Sequence, residues 1–410
     1  MDRVGEEIKS LSRFIVVQHV AFVKLLKKYK KWTGSGSLEL RFKKQYLDRP
    51  ESFSKVNLTP LLKRWTEALQ LVRELFQQKP GTNASTSTDG ACSHSLPAKT
   101  SLGLQRHPSV ALTQITAAEA VSEVEFDTAL ATVPLGTAGR RAAYWIHPEH
   151  LVELQVLLLQ HLRLLTVGSG TPAFESSALT REVQQGKDIG VVYVDDANAL
   201  GQHPSSSHVG QTEDTTGTCS TNAAGLARWA SGEDAVVVVG TPPGSRISAR
   251  LKRRDLSTFF DTEQPCNIDQ PSPQSAHDVN EPTPDEESTR SVQAVRKWLS
   301  DHRNVGPLVA ICSKRTRFAG LDNDASHGLW MTLDCDIYMR KDLPSGLADE
   351  DWPVSGRREA FDFPYAVLEV RQEGANMVHL IQTLDSSHLV SVDLFYLNDI
   401  TIEADVLSSK

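Results

Sequence analysis

The sequence predicts an α+β protein: an antiparallel sheet with flanking helices, preceded by a smaller helical segment. Three observations carry this. Between Pro307 and Arg371 the chain alternates, with Leu308, Ala310 and Cys312 giving way to Lys314 and Arg315. Further on, Leu333, Cys335, Ile337 and Met339 interleave with Asp334, Asp336 and Arg340. Period-two alternation marks strands with two unlike faces. Residues 1–79 instead repeat apolar and basic positions at three- and four-residue spacing, as helices do. A Ser/Thr/Gly/Pro-rich stretch at 80–110 separates the two regions. Alternation alone allows either an open sheet whose charged face meets water or a closed barrel whose charge points inward.

Composition narrows the class. A chain of 410 residues, 40 % hydrophobic, can hold two domains with cores. Cys92, Cys219, Cys266, Cys312 and Cys335 lie far apart with no CxxC pair, which argues against a zinc ribbon or disulfide framework and fits a reducing compartment. Arg3, Glu6, Glu7 and Lys9 interrupt any secretory signal. Leu151–Leu165, the longest apolar run, contains Glu153 and Arg163 and is too short to span a bilayer, so the expectation is a soluble chain with no transmembrane segment of its own. The formal net charge of −8 hides an asymmetry: residues 1–79 hold 17 Lys/Arg against 8 Asp/Glu, and the remainder holds 26 against 43. A basic front on an acidic body points to an anionic ligand for the front.

Taken in order, the first element is a helix around AFVKLLKKYKKWTG. Lys24, Lys27, Lys28 and Lys31 fall at i, i+3, i+4 and i+7 and form one stripe, with Phe22, Leu25, Leu26 and Tyr29 covering the other side. Such a stripe is either a solvated face or a compact polyanion site. It has no interleaved aromatics on the same face, so no nucleic-acid partner is expected. A second helix opens at Thr59 as N-cap with Pro60 at its first position, and Leu62, Trp65, Leu69, Val72 and Phe76 recur at helical spacing. Trp65 reads as core. Residues 80–110 read as a disordered linker, and 111–133 as a helical prop with Leu112, Ile115, Ala118 and Val121 in phase. A helix runs from Pro148 to Leu165. Strands are expected at 190–195, 225–229, 235–240 and 246–252, and the terminal stretch from Val390 also alternates. Inserts at 201–222 and 264–289 read as surface loops.

A resemblance chooses between the open sheet and the barrel. Arg315-Thr316-Arg317-Phe318, then LDCDIYMRKD from Leu333, then FPYAVLEVR from Phe363 resemble the tunnel domain of the vacuolar transporter chaperone (VTC) family of polyphosphate polymerases, which shows RTAF, LDT and FPYAVLEVK in that order. YWIHPEHLVELQVLLLQHL from Tyr144, and Arg228-Trp229 followed by Gly232, agree with it. The resemblance implies a closed antiparallel β-barrel, a triphosphate tunnel, over residues 111–407. FVKLLKKYKKWTG is likewise similar to the lysine-rich helix of SPX domains, which bind inositol pyrophosphates. It implies a partial SPX domain over 1–79 with Lys24, Lys27, Lys28 and Lys31 as its phosphate ligands. Lys30 stands where SPX domains carry Asp, and the SPX helices that precede this one are absent, so half a sensor is expected.

A polyphosphate polymerase holds ATP beside a growing polyanion, so positioning and charge neutralisation dominate its chemistry. By resemblance, Arg228 and Arg315 contact phosphate, and Glu369 holds Mn²⁺ or Mg²⁺. Arg317 and Arg250 are candidate replacements for cations that are missing: Ala143, Leu226, Val239 to Pro242 and Trp330 stand where the family presents charge. A charge-assisted contact contributes about 1.5–3 kcal/mol, so four losses remove roughly 6–12 kcal/mol if additive, at about 1.36 kcal/mol per tenfold in rate. The expectation is an accessory or regulatory protein of polyphosphate metabolism and phosphate homeostasis with a depleted tunnel. Its partners would be inositol pyrophosphate, polyphosphate or ATP, and membrane-embedded VTC-type subunits that hold it at the cytoplasmic face of the vacuole or leave it in the cytoplasm. The alternatives are an active ATP-dependent polymerase or tunnel-type triphosphate hydrolase, and a non-enzymatic inositol-phosphate-binding module.

Overall fold

The computed structural model describes residues 1–77, 108–117, 121–136, 139–165, 187–196, 224–229, 234–241, 245–252, 284–302, 305–324, 326–340, 357, 360–374 and 378–391. The chain divides into two compact units, Met1–His107 with Val152–Gln160, and Pro108–Leu151 with His161–Lys410. Of the linker expected at 80–110, residues 80–107 lie outside the described residues, as does the insert at 201–222, and residues 108–110 are helical instead.

The first unit holds α1 (Asp2–Thr33), α2 (Ser37–Phe42) and α3 (Thr59–Gln77). Gly34, in the left-handed region at φ 69°, ends α1 and donates its N–H to the Lys30 carbonyl. At the start of α3 the Asn57 side chain accepts from the Thr59 N–H (2.9 Å), so the cap lies just ahead of the expected Thr59. Trp65 is buried, as its spacing predicts, and its indole N–H donates to the Met1 carbonyl at 3.1 Å. Ile8, Leu26, Leu58, Leu62 and Leu69 are buried in the same unit. The expected apolar side of the lysine helix is only partly covered: Leu26 is buried, and Phe22 stacks on Phe42 with centroids 5.5 Å apart, but Leu25 and Trp32 are exposed.

The second unit begins with α4 (Pro108–Ala117) and α5 (Glu123–Thr132), then β1 (Arg140–Ile146). α6 (Leu151–His161) follows; its residues Val152–Gln160 cluster with the first unit. The strand β2 (Leu162–Leu164) replaces the expected last turn of that helix. Next come β3 (Lys187–Asp196), β4 (Ala224–Trp229), β5 (Asp234–Thr241) and β6 (Ser245–Lys252). α7 (Pro284–Asp301) takes in residues 284–289, which read from sequence as the end of a loop. The chain then gives β7 (Val305–Gly320), β8 (Gly328–Arg340), β9 (Phe361–Asp362), β10 (Ala366–Glu373), α8 (Val378–Ser386) and β11 (Val390–Ser391).

All eleven strands form one antiparallel sheet in the order β11-β1-β10-β8-β7-β3-β4-β5-β6, with β2 on β7 and β9 on β8. The sheet is not closed into a barrel, which corrects the expectation from resemblance. Closure needs the two edge strands to share a ladder, and among the described residues none joins β11 to β6. It is nonetheless strongly curled. β1 and β6 stand seven strand steps apart, roughly 33 Å at about 4.8 Å per step if the sheet were flat. Yet Arg141 of β1 and Arg246 of β6 donate to neighbouring carbonyls of one helix, Leu130 (2.8 Å) and Ala131 (3.0 Å). Only a trough wrapped around α5 allows that. On the outer face Val192, Val237, Val239, Ala249 and Leu251 pack against Val292, Val295, Trp298 and Leu299 of α7. A bulge at Asp336, whose φ is +50°, shifts the β7–β8 register and lets Asp334 oppose Arg315.

Candidate functional site: a cationic trough around Glu369

Cross-strand register assembles the site. Glu369 of β10 lies opposite Ala143 of β1 and Thr332 of β8; Thr332 lies opposite Arg317 of β7, Asp334 opposite Arg315, and Arg315 opposite Lys187 of β3. Arg141 and Arg371 are paired two residues further along. Because side chains alternate across a strand, all of these occupy the inner face.

Every cation there has a partner. Arg315 grips Asp334 with two bonds, Nε–Oδ1 at 2.8 Å and Nη2–Oδ2 at 2.7 Å. Burial acts to lower its pKa, but Asp334, Asp127 and Glu369 outweigh it and raise the value well above that of an ordinary arginine. Arg317, fully enclosed, makes the same fork to Asp127 of α5 (2.9 and 2.6 Å) and lies 3.8 Å from Glu123. Lys187 pairs with Glu123 at 2.9 Å. Arg371 donates to Glu373 (2.7 Å) and to the Val133 and Pro134 carbonyls (2.6 and 2.7 Å). Burial first, and then the neighbouring Arg371 and Arg246, lower Arg141 to about 10, against the opposing pull of Glu369 and Glu373.

Glu369 makes no hydrogen bond or ion pair among the described residues. It is surrounded by protein while keeping some accessible surface, and burial raises its pKa against the pull of Arg315. The Thr332 hydroxyl beside it is fully buried with no hydrogen-bond partner among the described residues. Oxygen donors suit Mg²⁺ or Mn²⁺. With both Asp334 oxygens held by Arg315, however, Glu369 and Thr332 are too few for an all-protein shell, and such an ion fits only if phosphate oxygens complete its coordination.

The other expected residues fall elsewhere. Arg250 lies exposed on the edge strand β6, bound to Asp234 (2.5 Å) together with Lys252 (2.8 Å), and takes no part in the Glu369 cluster. Arg228 pairs through its backbone with Gly190 and Ala235; its side chain lies outside the described residues. Lys24, Lys27, Lys28 and Lys31 are exposed on α1, none within ion-pair distance of a carboxylate among the described residues, and Lys28 Nζ sits 4.6 Å above the Trp32 ring. Sequence reasoning missed Arg141, Lys187, Arg371, Glu123 and Asp127. Arg371 was within reach, since it stands two residues after Glu369 and must share its face. The expected shortage of inner cations is therefore corrected: Arg141, Lys187, Arg315, Arg317 and Arg371 all line this face with Glu369.

The fold and site define an antiparallel-sheet protein with an arginine-rich inner trough balanced by carboxylates, an arrangement matched to a multiply charged oxyanion. The family model of the VTC domain matches residues 246–393, from β6 to β11. That stretch of the chain is similar to the VTC domain. No curated protein matches the chain. No helix among the described residues is long and apolar enough to cross a membrane.

Proposed function

We propose that the chain is an accessory or regulatory VTC-type protein whose trough binds a phosphate polyanion, polyphosphate or the triphosphate of ATP. The supporting observation is the set of five inner cations around Glu369, each already committed to a carboxylate or carbonyl of the chain itself. Binding sites for phosphoryl transfer present cations to substrate; here substrate has to compete for them. Localisation at the vacuole through membrane-embedded VTC-type subunits belongs to the same proposal, as does inositol pyrophosphate binding by the exposed Lys24, Lys27, Lys28 and Lys31.

Glu369, without a hydrogen bond or ion pair among the described residues, favours a second reading, an ATP-dependent polymerase or hydrolase. Glu369 and Thr332 would then hold Mn²⁺ or Mg²⁺, which when bound neutralises phosphate oxygens. One experiment separates the two. Full-length protein is titrated with inorganic tripolyphosphate by calorimetry, then incubated with ATP, Mn²⁺ and a pyrophosphate primer. The expected result is binding that Arg315→Gln weakens at least about tenfold, one charge-assisted contact's worth, and no long polyphosphate. Absence of binding overturns the polyanion site; robust chain synthesis replaces the accessory reading with the enzymatic one.

A further inference from the structure

We infer that helix α5 is an internal competitor for the polyanion: Glu123 and Asp127 occupy the positions that phosphate groups would take, and a phosphate chain enters by displacing them. This rests on the polyanion reading of the same trough. The two acids stand four residues apart, on one face of α5, and point at the inner cations. Asp127 meets Arg317 in the forked geometry that a guanidinium offers to carboxylate and phosphate alike. The other end of the helix is held in the same currency of charge. Its last carbonyls carry partial negative charge, and Arg141, Arg246 and Arg371 donate to Leu130, Ala131 and Val133.

The contacts show what α5 does. Its Glu123 and Asp127 meet Lys187 and Arg317, and the carbonyls of Leu130, Ala131 and Val133 at its far end accept from Arg141, Arg246 and Arg371. Without α5 these cations lose two carboxylates and the trough becomes more positive. Stability does not require this chemistry. Apolar replacements of a buried ion pair are often neutral or stabilising, and α5 already has apolar anchors in Val124, Phe126 and Ala129. The Thr332 hydroxyl between Arg317 and Glu369, without a hydrogen-bond partner among the described residues, is a further polar group open to an acceptor.

The test uses the full chain and inorganic tripolyphosphate. Hydrogen exchange of the unmodified protein is followed with and without the probe, and affinity is compared with that of E123Q/D127N. The expected results are at least tenfold faster exchange of the Glu123–Thr132 amides on binding, and at least tenfold tighter binding by the double variant. Binding of the probe with unchanged or slowed exchange in α5 overturns the inference while leaving the polyanion site standing, as does a folded double variant that binds no more tightly. Where D127N fails to fold, E123Q alone carries the affinity comparison, because Lys187 keeps partial exposure. Should neither the unmodified protein nor any folded variant bind the probe, the polyanion reading falls and takes the inference with it.

Discussion

The chain carries two clusters of cations, and they are built in opposite ways. On α1, Lys24, Lys27, Lys28 and Lys31 are exposed, with no carboxylate within ion-pair distance among the described residues. In the trough, Arg141, Lys187, Arg315, Arg317 and Arg371 are enclosed and matched to acids or carbonyls. The difference follows from solvation. A lysine in water is already satisfied, so its partner is optional. A guanidinium removed from water must be paired inside the protein, and the partner it finds then stands between it and any ligand. The same positive charge is therefore a freely available surface in one unit and a guarded interior in the other.

The largest effect that can break this comparison is on stability. Arg317→Met leaves Asp127 and Glu123 enclosed with one fewer cation, and breaking a buried pair from one side costs about 3–5 kcal/mol. For a domain of this size that lowers Tm by roughly 6–20 °C. Thermal unfolding followed by circular dichroism checks it. A drop of only a degree or two would mean that water reaches the pair and that the trough is not the guarded interior described above.

Much of the sheet was legible in advance. The strand alternation at β7, β8 and β10 needs only the period-two rule, and the expected strands at 190–195, 225–229, 235–240 and 246–252 lie within β3 to β6 as observed. The arc of the sheet was not legible. Whether β6 meets β11 depends on the length of an edge strand and on what fills the trough, neither of which alternation encodes. The site was half legible. Arg315, Arg317 and Glu369 were readable because motif and register coincide there. Arg141 and Lys187 were not, because their partners, the Leu130 carbonyl and Glu123, lie on a different element, α5. Asp127 was hidden for the same reason: nothing near it in sequence says that its partner is Arg317, 190 residues away.

A smaller effect concerns Glu369. Burial raises its pKa above the ordinary 4.5, with Arg315 opposing. The unfolded chain releases this proton near 4.5 and the folded chain only at higher pH, so the folded state binds more protons in between. Stability therefore falls as pH rises from 4.5 to the folded value and stays lowered above it. Glu369→Gln cannot ionise and removes that fall. Subtracting the Tm–pH curve of the variant from that of the unmodified protein should leave a downward step above pH 4.5. An upward step would mean that Glu369 is stabilised as the anion, with Arg315 rather than burial setting its charge.

The smallest stability effect belongs to the lysine stripe, and it sharpens the contrast from the other side. Replacing Lys24, Lys27 and Lys28 together by Ala removes like-charge repulsion of a few tenths of a kcal/mol per pair and touches no buried contact. Tm should therefore stay where it is or rise slightly. The binding consequence is separate: calorimetry with an inositol pyrophosphate should show affinity lost in the triple variant, and weakened in the unmodified protein as salt is raised, because exposed charges are screened over about 8–10 Å. A triple variant that loses stability instead would mean that the stripe has a partner within the fold. In that case the two cation clusters would differ in degree of burial alone, and the α1 surface would be no more available to a ligand than the trough is.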